Sequence, residues 1–362
     1  MPSELLMPAL LKAVRQFVEA DSAGFFWVDS HGDMTSLYAE RLLPTPAMQL
    51  YFERYYESGE SSFRRVFRQR VQGIEPVIAV SPSVASERSP FYNEVFRPLD
   101  AHHVLYGIVK EQGHAIGQLS LYRPKSAKPF SLSQRAELSS IIRYVAHGVS
   151  HRAQQTGDAV EFHDTEDDAV FLVGGDGSIR QLAATAQKLL ALATQGKIGP
   201  DSTLNGIDAA ARPVLRRLAK RLRKVLAGET VGPPSLILQN SWGRFVLRAY
   251  TIGDASSGED SSIVINIKRQ EPMLLKFVGA LNDLDLSPQQ REIAVGLAKG
   301  LSNRAIAQTM GISGNTVAYH IKQLFQRLDT HDRQQLIGLR ANEQHFRQPT
   351  GRGAGKQIGL EN

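Results

Sequence analysis

One glycine near the C-terminal end constrains this chain more than any other residue. Gly311 interrupts the segment GLSNRAIAQTMGISGNTVAYHIKQLF, residues 300–325, which otherwise has the apolar spacing of one long amphipathic helix. Glycine has no Cβ to clash in the left-handed conformation, so it commonly ends a helix. The interruption therefore predicts two helices that meet at a tight corner.

Signals for helix boundaries surround this corner. Serines suited to cap a helix precede each segment of helical periodicity, and they are Ser287, Ser302 and Ser313. Pro288 suits the first helical position, and Gln290 can complete a capping box with Ser287. Gly300 is expected to end the first helix as Gly311 ends the second, with the small Ala307 at the contact between helices. These signals predict a helix-turn-helix inside a three-helix frame.

The third predicted helix has one apolar and one polar face. Val317, Ile321 and Leu324 recur at helical spacing and should face inward. Amides can pair with adenine edges, lysine can neutralise phosphate or bind guanine, and helix N-termini bind phosphate. Residues 291–340 carry seven Lys or Arg against three Asp or Glu, which favours an anionic partner. The predicted DNA-binding residues are Ser302, Asn303, Arg304, Ser313, Asn315, Thr316, Tyr319, Lys322, Gln323 and Gln326.

The motifs LSPQQREI, GLSNRAIA and ISGNTV, followed by His320 and Arg327-Leu328, carry a family resemblance. In order and spacing, residues 286–339 resemble the DNA-binding domain of LuxR-type transcriptional regulators. The resemblance implies a bacterial homodimer that binds double-stranded DNA and contacts RNA polymerase. It also implies four helices, with the third in the major groove and the fourth, DRQQLIGLRANEQ, supporting dimer contacts.

Two departures from the LuxR-type pattern affect the predicted interface. Gln289-Gln290 replaces the usual Arg-Glu pair at the start of the first helix. Ala318 stands where a Lys or Arg usually follows Thr-Val, which weakens phosphate contact at that position. Lys322 is therefore the only Lys or Arg between Gly314 and Gln326, and we predict that it contacts phosphate.

The N-terminal residues mix helical and strand patterns. Apolar spacing predicts a helix at 10–20, hairpins at 24–38 and 103–123, and a closing amphipathic helix at 131–151. This α+β order resembles GAF-type sensor domains. The resemblance is one of pattern and covers residues 1–152.

A second α+β pattern follows a polar, acidic stretch. The pattern over 169–193 predicts a strand, a glycine-rich turn, a strand and a helix, and late strands are predicted at 244–252 and 261–270. This order resembles PAS domains. A basic amphipathic helix is predicted at 212–228. We interpret its basic side as a solvated face, with phosphate or membrane contact as the alternative.

These patterns predict a multidomain chain of two α+β domains and one all-α domain. We predict a GAF-like sensor domain at 1–152, a linker at 153–168, a PAS-like domain at 169–270, a linker at 271–283, a helix-turn-helix domain at 284–343 and a flexible tail at 344–362. The segment 283–343 is expected to fold alone, because its helices carry their own caps and share a core.

Composition excludes several kinds of site. The chain has 0 Cys, which excludes disulfides, thiolate metal sites and cysteine nucleophiles. No apolar run approaches the roughly 18 residues that span a bilayer, and Glu4 stands where a signal peptide is basic. We therefore expect a cytoplasmic protein. The net charge of +6 is compatible with an anionic partner.

The sequence has one weak metal-binding pattern and lacks the common catalytic motifs. His147 and His151 share one helical face, but no third metal ligand is evident. No nucleophile elbow or nucleotide loop is present, so we predict no catalytic residue, metal or cofactor and do not expect an enzyme.

The predicted function is that of a DNA-binding transcriptional regulator controlled by N-terminal sensory or dimerisation domains. A small molecule bound in the GAF-like or PAS-like domain is one candidate signal. Two alternatives stay open. The first is an adaptor that uses the helix-turn-helix for protein contact, and the second is a signalling enzyme with an unrecognised N-terminal active site.

Overall fold

The chain divides into two compact units, unit 1 at Met1–Glu271 and unit 2 at Pro272–Asn362. The structure is a computed structural model. It describes residues 3–43, 45–57, 62–150, 161–199, 202–251, 263–282, 284–328, 330–332 and 335–336.

The first sheet of unit 1 has five antiparallel strands. They are β1 (Ser22–Val28), β2 (Met34–Ala39), β3 (Val77–Val80), β4 (His103–Glu111) and β5 (His114–Arg123). Their order in the sheet is β2-β1-β5-β4-β3. Both hairpins predicted from the sequence, β1 with β2 and β4 with β5, are confirmed.

Five helices accompany this sheet. They are α1 (Ser3–Phe17), α2 (Thr45–Leu50), α3 (Ser62–Gln72), α4 (Val84–Glu87) and α5 (Leu132–Ser150). Two π-helical segments, Tyr51–Glu57 and Tyr92–Phe96, and a 3-10 turn at Arg97–Leu99 complete this part of the chain. The start of α1 was predicted too late, because Pro8 lies inside the helix and interrupts the pattern expected of a helix interior.

The second sheet of unit 1 also has five strands. They are β6 (Phe162–Val173), β7 (Ile179–Gln181), β8 (Ser235–Asn240), β9 (Gly243–Thr251) and β10 (Ile263–Pro272), in the order β7-β6-β10-β9-β8. Strand β6 extends into the stretch predicted as a linker at 153–168. Its acidic residues Asp164, Glu166 and Asp168 are exposed at every second position, which is the alternation of a half-buried strand.

Helices α6 (Ala184–Thr194) and α7 (Leu204–Leu226) lie between the strands β7 and β8 in the chain. Helix α7 begins well before the predicted start at Arg212. The side chain of Thr203 caps it by accepting a hydrogen bond from the Gly206 amide at 3.3 Å. Pro213 lies inside α7, whereas proline is more common in the first turn of a helix.

The two sheets of unit 1 share one hydrophobic core. Trp242, in the turn between β8 and β9, is 1% exposed, and its ring stacks on Tyr38 of β2 with centroids 5.3 Å apart. It also meets the Trp27 ring edge-on at 5.7 Å. The Leu37 amide donates to the Ile198 carbonyl at 2.8 Å. These contacts join the regions of the two sheets into one packed body.

Two cations are buried beside Trp242. Lys188 of α6 is 7% exposed, and its Nζ lies 4.2 Å from the centroid of the Tyr38 ring. Burial lowers the pKa of Lys188 to about 8. Arg269 of β10 is 1% exposed, and it donates to the Trp242 carbonyl at 2.9 Å and to Asp167 at 3.2 Å. Both cations therefore serve contacts inside unit 1.

Unit 2 is helical in the part that the structure describes. Its helices are α8 (Met273–Asn282), α9 (Pro288–Ala298), α10 (Asn303–Met310) and α11 (Gly314–Arg327). Helix α8 occupies the stretch predicted as a linker at 271–283, and its Phe277 and Leu281 are 2% and 3% exposed in the core of unit 2. The linker prediction failed because α8 is apolar and lacks a start signal.

The C-terminal predictions lie largely outside the described residues. Most of the predicted fourth helix, 332–344, and all of the predicted tail, 344–362, fall there. None of the described helices combines the length and the apolar character that a membrane span requires.

Candidate nucleic-acid interface

The corner between α10 and α11 has the predicted geometry. Gly311 ends α10 with φ 65° and ψ 31°, in the left-handed region, and its amide donates to the Ala307 carbonyl. Gly300 has φ 85°. A Cβ built on Gly311 would meet nothing within 4 Å. The requirement for glycine at the corner therefore comes from the backbone conformation and not from crowding.

Serine caps start each of the three helices, as predicted. Ser287 accepts from the Gln290 amide at 3.2 Å, while Gln290 Oε1 accepts from the Ser287 amide at 3.0 Å, which completes the capping box. Ser302 caps α10 and Ser313 caps α11 by the same type of contact. Ser313 Oγ also lies 2.8 Å from Thr316 Oγ1. The first turn of α11 is thus fixed by its own side chains.

A close approach between α9 and α10 occurs at a residue that the sequence analysis missed. A Cβ built on Gly296 would lie 2.9 Å from Ile306 Cγ1, closer than packed atoms allow. Ala307, the predicted contact residue, is buried as expected. The signal for Gly296 was a glycine in the middle of a helix, a position that often has a packing reason.

The structure separates the two faces of α11 as predicted. Val317 and Leu324 are fully buried, and Tyr319 is 59% exposed. The remaining predicted interface residues differ in exposure: Ser302, Asn303, Arg304, Ser313, Asn315, Lys322 and Gln326 are exposed, while Thr316 and Gln323 are half-buried. Most of the predicted interface can therefore be reached by a large partner.

An open groove runs beside α11, and some of the predicted interface residues line it. Asn303, Lys322 and Gln326 line it together with Ala318. The groove does not include the other predicted residues. Ala318 leaves it without the cation that is usual in the LuxR-type pattern, so Lys322 supplies its charge.

A chain of amide hydrogen bonds links the capping box of α9 to the exposed face of α11. The buried Gln290 donates from Nε2 to Gln323 Oε1 at 3.2 Å, and Gln323 Nε2 donates to the Tyr319 hydroxyl at 2.7 Å. Gln323 uses both ends of its amide inside the protein. It therefore positions Tyr319, a role that helical periodicity alone did not predict.

Charges on the α11 face are positive or absent. Among the described residues, neither Lys322 nor Arg304 forms an ion pair, whereas Arg327 at the end of α11 pairs with Asp285 at 2.8 Å. Exposed cations without partners attract an anionic ligand. Within the described part of the chain, no group of three or more His, Asp or Glu side chains could hold a metal ion.

Comparison with known proteins agrees with this geometry. The family model of bacterial regulatory proteins, luxR family, matches residues 284–339. The nitrate/nitrite response regulator protein NarP of Escherichia coli (strain K12) is 31% identical over 150 residues, which cover 40% of this chain and 67% of NarP. This chain belongs to the luxR family of bacterial regulatory proteins.

Two other relatives match over shorter parts of their length. The probable transcriptional regulatory protein SgaR of Hyphomicrobium methylovorum is 41% identical over 54 residues, 15% of this chain and 26% of SgaR. The two-component response regulator PprB of Pseudomonas aeruginosa is 26% identical over 178 residues, 47% of this chain and 62% of PprB. The chain thus covers less than two thirds of either relative.

GAF domains are among the structural neighbours of the mixed α/β N-terminal region. The GAF domain/HD domain protein from Geobacter sulfurreducens has 14% identity and a TM-score of 0.31, over 42% of this chain and 94% of that protein's chain. The cyanobacteriochrome TePixJ GAF domain has 12% identity and a TM-score of 0.30, over 39% and 84%.

Proposed function

We propose that this chain is a DNA-binding transcriptional regulator that reads the major groove with α11 and is controlled by unit 1. The observation that carries the proposal is the exposed, acid-free face of α11. It lies opposite the fully buried Val317 and Leu324 and begins at the tight corner formed by Gly311. An α-helix presented in this way fits the width of the major groove.

The proposed roles of the α11 residues follow from their chemistry. Asn315 in the first turn can form paired hydrogen bonds with an adenine edge. Lys322 binds phosphate, and Tyr319 contacts the DNA in the orientation that Gln323 gives it. Ser302, Asn303 and Arg304, at the start of α10, contact the phosphate backbone, since helix N-termini present free amide groups to anions.

Several finer features belong to the same proposal. We assign the region 169–270 to a PAS-like domain and residues 284–343 to a helix-turn-helix domain of four helices, to which α8 adds core residues. The regulator works as a homodimer in the cytoplasm, where its DNA is, and contacts RNA polymerase. Unit 1 receives the signal, and a small molecule is the candidate. We assign no enzymatic activity.

The test uses the full chain and a randomised duplex DNA library. Lys322→Ala should weaken all sequences about equally and reduce the slope of log affinity against log salt by about one unit, because one phosphate contact is lost. Lys299→Ala is the matched control, since Lys299 is an exposed lysine of unit 2 that lies outside the α11 face. It should leave affinity and slope unchanged.

Other outcomes would redirect the proposal. A loss confined to one base position, worth about 1–3 kcal/mol, would mean that Lys322 reads guanine. No change with Lys322→Ala would remove this part of the face from the DNA. If the wild-type chain binds no library member at any salt concentration, the regulator proposal fails and the adaptor alternative gains ground.

A further inference from the structure

Unit 1 contains a cavity of about 90 Å³ in its GAF-like region. Nine of its lining residues are aromatic, and they come from β1, β4, β5, α3, the two π-helical segments and Phe91, which directly precedes the second of these segments. None of the predicted interface residues lies in it. A cavity with mainly apolar walls and few polar groups is the usual form of a small-molecule site.

The walls of this cavity contain tilted and edge-to-face ring pairs. The Phe63 ring lies 5.1 Å from that of Phe91 in a tilted arrangement and meets that of Tyr51 edge-to-face at 5.6 Å, and Tyr55 packs behind Phe91 with ring centroids 5.0 Å apart. Aromatic rings prefer such tilted arrangements at these separations. A planar ring in the cavity would therefore contact ring edges and ring faces on several sides. The volume of the cavity has room for about one ring.

Two of the walls have unusual backbone. Tyr51–Glu57 and Tyr92–Phe96 are π-helical, and the Tyr55 hydroxyl donates to Glu94 at 2.6 Å to join them. π-helical turns are rare and frequently occur at functional sites. Their presence on two sides of one cavity is a second indication, independent of its lining, that the cavity has a role beyond packing.

The polar part of the lining centres on Arg70. Its guanidinium carbon lies 3.8 Å from the centroid of the Tyr106 ring, and Nη1 donates to the buried Gln118 at 3.3 Å. Gln118 is held in turn by Ser120. Among the described residues no carboxylate pairs with Arg70. Arg41, the other cation of the lining, pairs with Asp100 at 3.8 Å.

We propose that this cavity binds a compact aromatic carboxylate, with the ring among the phenylalanines and the carboxylate on Arg70. A guanidinium fork matches a carboxylate with two parallel hydrogen bonds, and the Tyr106 and Gln118 contacts hold it in place. The inference deepens the proposed function, because it names the chemical class of the signal that unit 1 receives.

The experiment is isothermal titration of the full chain with three probes. Phenylacetate has the ring and the charge, phenylacetamide is its neutral isostere, and acetate has the charge alone. Phenylacetate should bind, and each of the other two should bind at least about 10-fold more weakly, since the amide lacks the charge-assisted hydrogen bonds to Arg70 and acetate lacks the ring that fills the cavity.

Variants on α3 test the role of Arg70. Arg70→Gln should weaken phenylacetate about 10-fold or more and leave phenylacetamide unchanged. Arg65→Gln removes an exposed arginine of the same helix that does not line the cavity, and should change neither affinity. Arg70→Lys keeps the positive charge but not the two parallel donors of the guanidinium, so its affinity for phenylacetate should lie between those of Arg70→Gln and the wild type. If Arg70→Gln does not fold, the wild-type comparison of the three probes still decides.

The outcomes that overturn the inference differ from those that overturn the proposed function. Equal affinity for phenylacetate and phenylacetamide, equal affinity for acetate, or no binding of any probe would each refute the carboxylate site. DNA affinity is measured on the same samples. DNA binding without probe binding refutes only this inference, whereas probe binding without DNA binding refutes the regulator.

Discussion

The two units of this protein place their cations in opposite environments. Unit 1 buries Lys188 and Arg269 beside Trp242, where aromatic rings, carbonyls and carboxylates surround them. Unit 2 leaves Lys322 and Arg304 exposed, without an ion pair among the described residues. Removal of a buried charge leaves its partners unpaired in an apolar interior, while removal of an exposed charge affects mainly the binding of an external ligand. Substitutions of cations in unit 2 should therefore change binding without changing stability, whereas those in unit 1 should change stability.

The largest effect is expected where unit 2 depends on its own interior. The segment 283–343 was expected from the sequence to fold alone, but a fragment with these bounds lacks Phe277 and Leu281 of α8, both buried in the core. Their loss should cost more than about 5 kcal/mol, which is comparable to the whole stability of a small domain. Thermal melts followed by circular dichroism should show a cooperative transition for a fragment of 272–343 and none for 283–343. Equal melts would mean that α8 is dispensable.

Next in size is the loss of a buried cation from unit 1. Arg269→Met roughly keeps the side-chain volume but removes the ion pair with Asp167 and one of the two pairs of Glu271, so the free energy of unfolding should fall by about 3–5 kcal/mol. Lys268→Met on the same strand removes a partly exposed pair with Asp168 and should cost at most about 1 kcal/mol. Urea denaturation measures both. Similar losses in the two variants would break the contrast between the units.

A smaller effect is expected at the corner of unit 2. Gly311→Val forces a β-branched residue into the left-handed region and should cost about 1–3 kcal/mol together with DNA affinity. Gly314→Val is the control, because Gly314 also has open space around it but no positive φ. The two variants should differ in melting temperature. If they melt alike, the strain argument for Gly311 is wrong.

The smallest effect is a pH dependence that belongs to unit 1. The folded pKa of Lys188 is about 8, below its ordinary 10.5, because burial disfavours the charged form. The free-energy cost of burying charged Lys188 is fully present below pH 8 and disappears as the pH rises towards 10.5, because the folded protein then holds the lysine neutral. The free energy of unfolding should therefore increase by about 1 kcal/mol between pH 7 and 9. Lys188→Met should remove this increase. An unchanged slope in the variant would assign it to another group.

Elements whose signals lie close together in the sequence could be predicted, and elements that depend on distant residues could not. The caps and glycines of unit 2 act within four residues, so Ser287, Gly300 and Gly311 could be placed from the sequence alone. The first half of β6, up to Asp168, was missed because its acidic composition resembled a linker, whereas its second half was predicted as a strand. Helix α8 was missed because an apolar helix without caps has no local start signal.

The candidate sites differed in the same way. The polar face of α11 is continuous in sequence, and helical periodicity was enough to separate Tyr319 from Val317. The cavity of unit 1 gathers residues from β1 to β5, and only the folded chain brings Phe52 and Tyr106 together. The role of Gln323 was invisible for a related reason, since its partner Gln290 lies on another helix.

The hydrogen bonds from Gln290 through Gln323 to Tyr319 affect the entropy of binding. A tyrosine that moves freely in the unbound protein loses rotational freedom when it docks, and ordering a side chain costs about 0.5–1.5 kcal/mol at an interface. The Tyr319 hydroxyl already accepts a hydrogen bond from Gln323 at 2.7 Å. Much of that freedom is therefore lost on folding, so the DNA contact proposed for Tyr319 would require little further ordering of its ring.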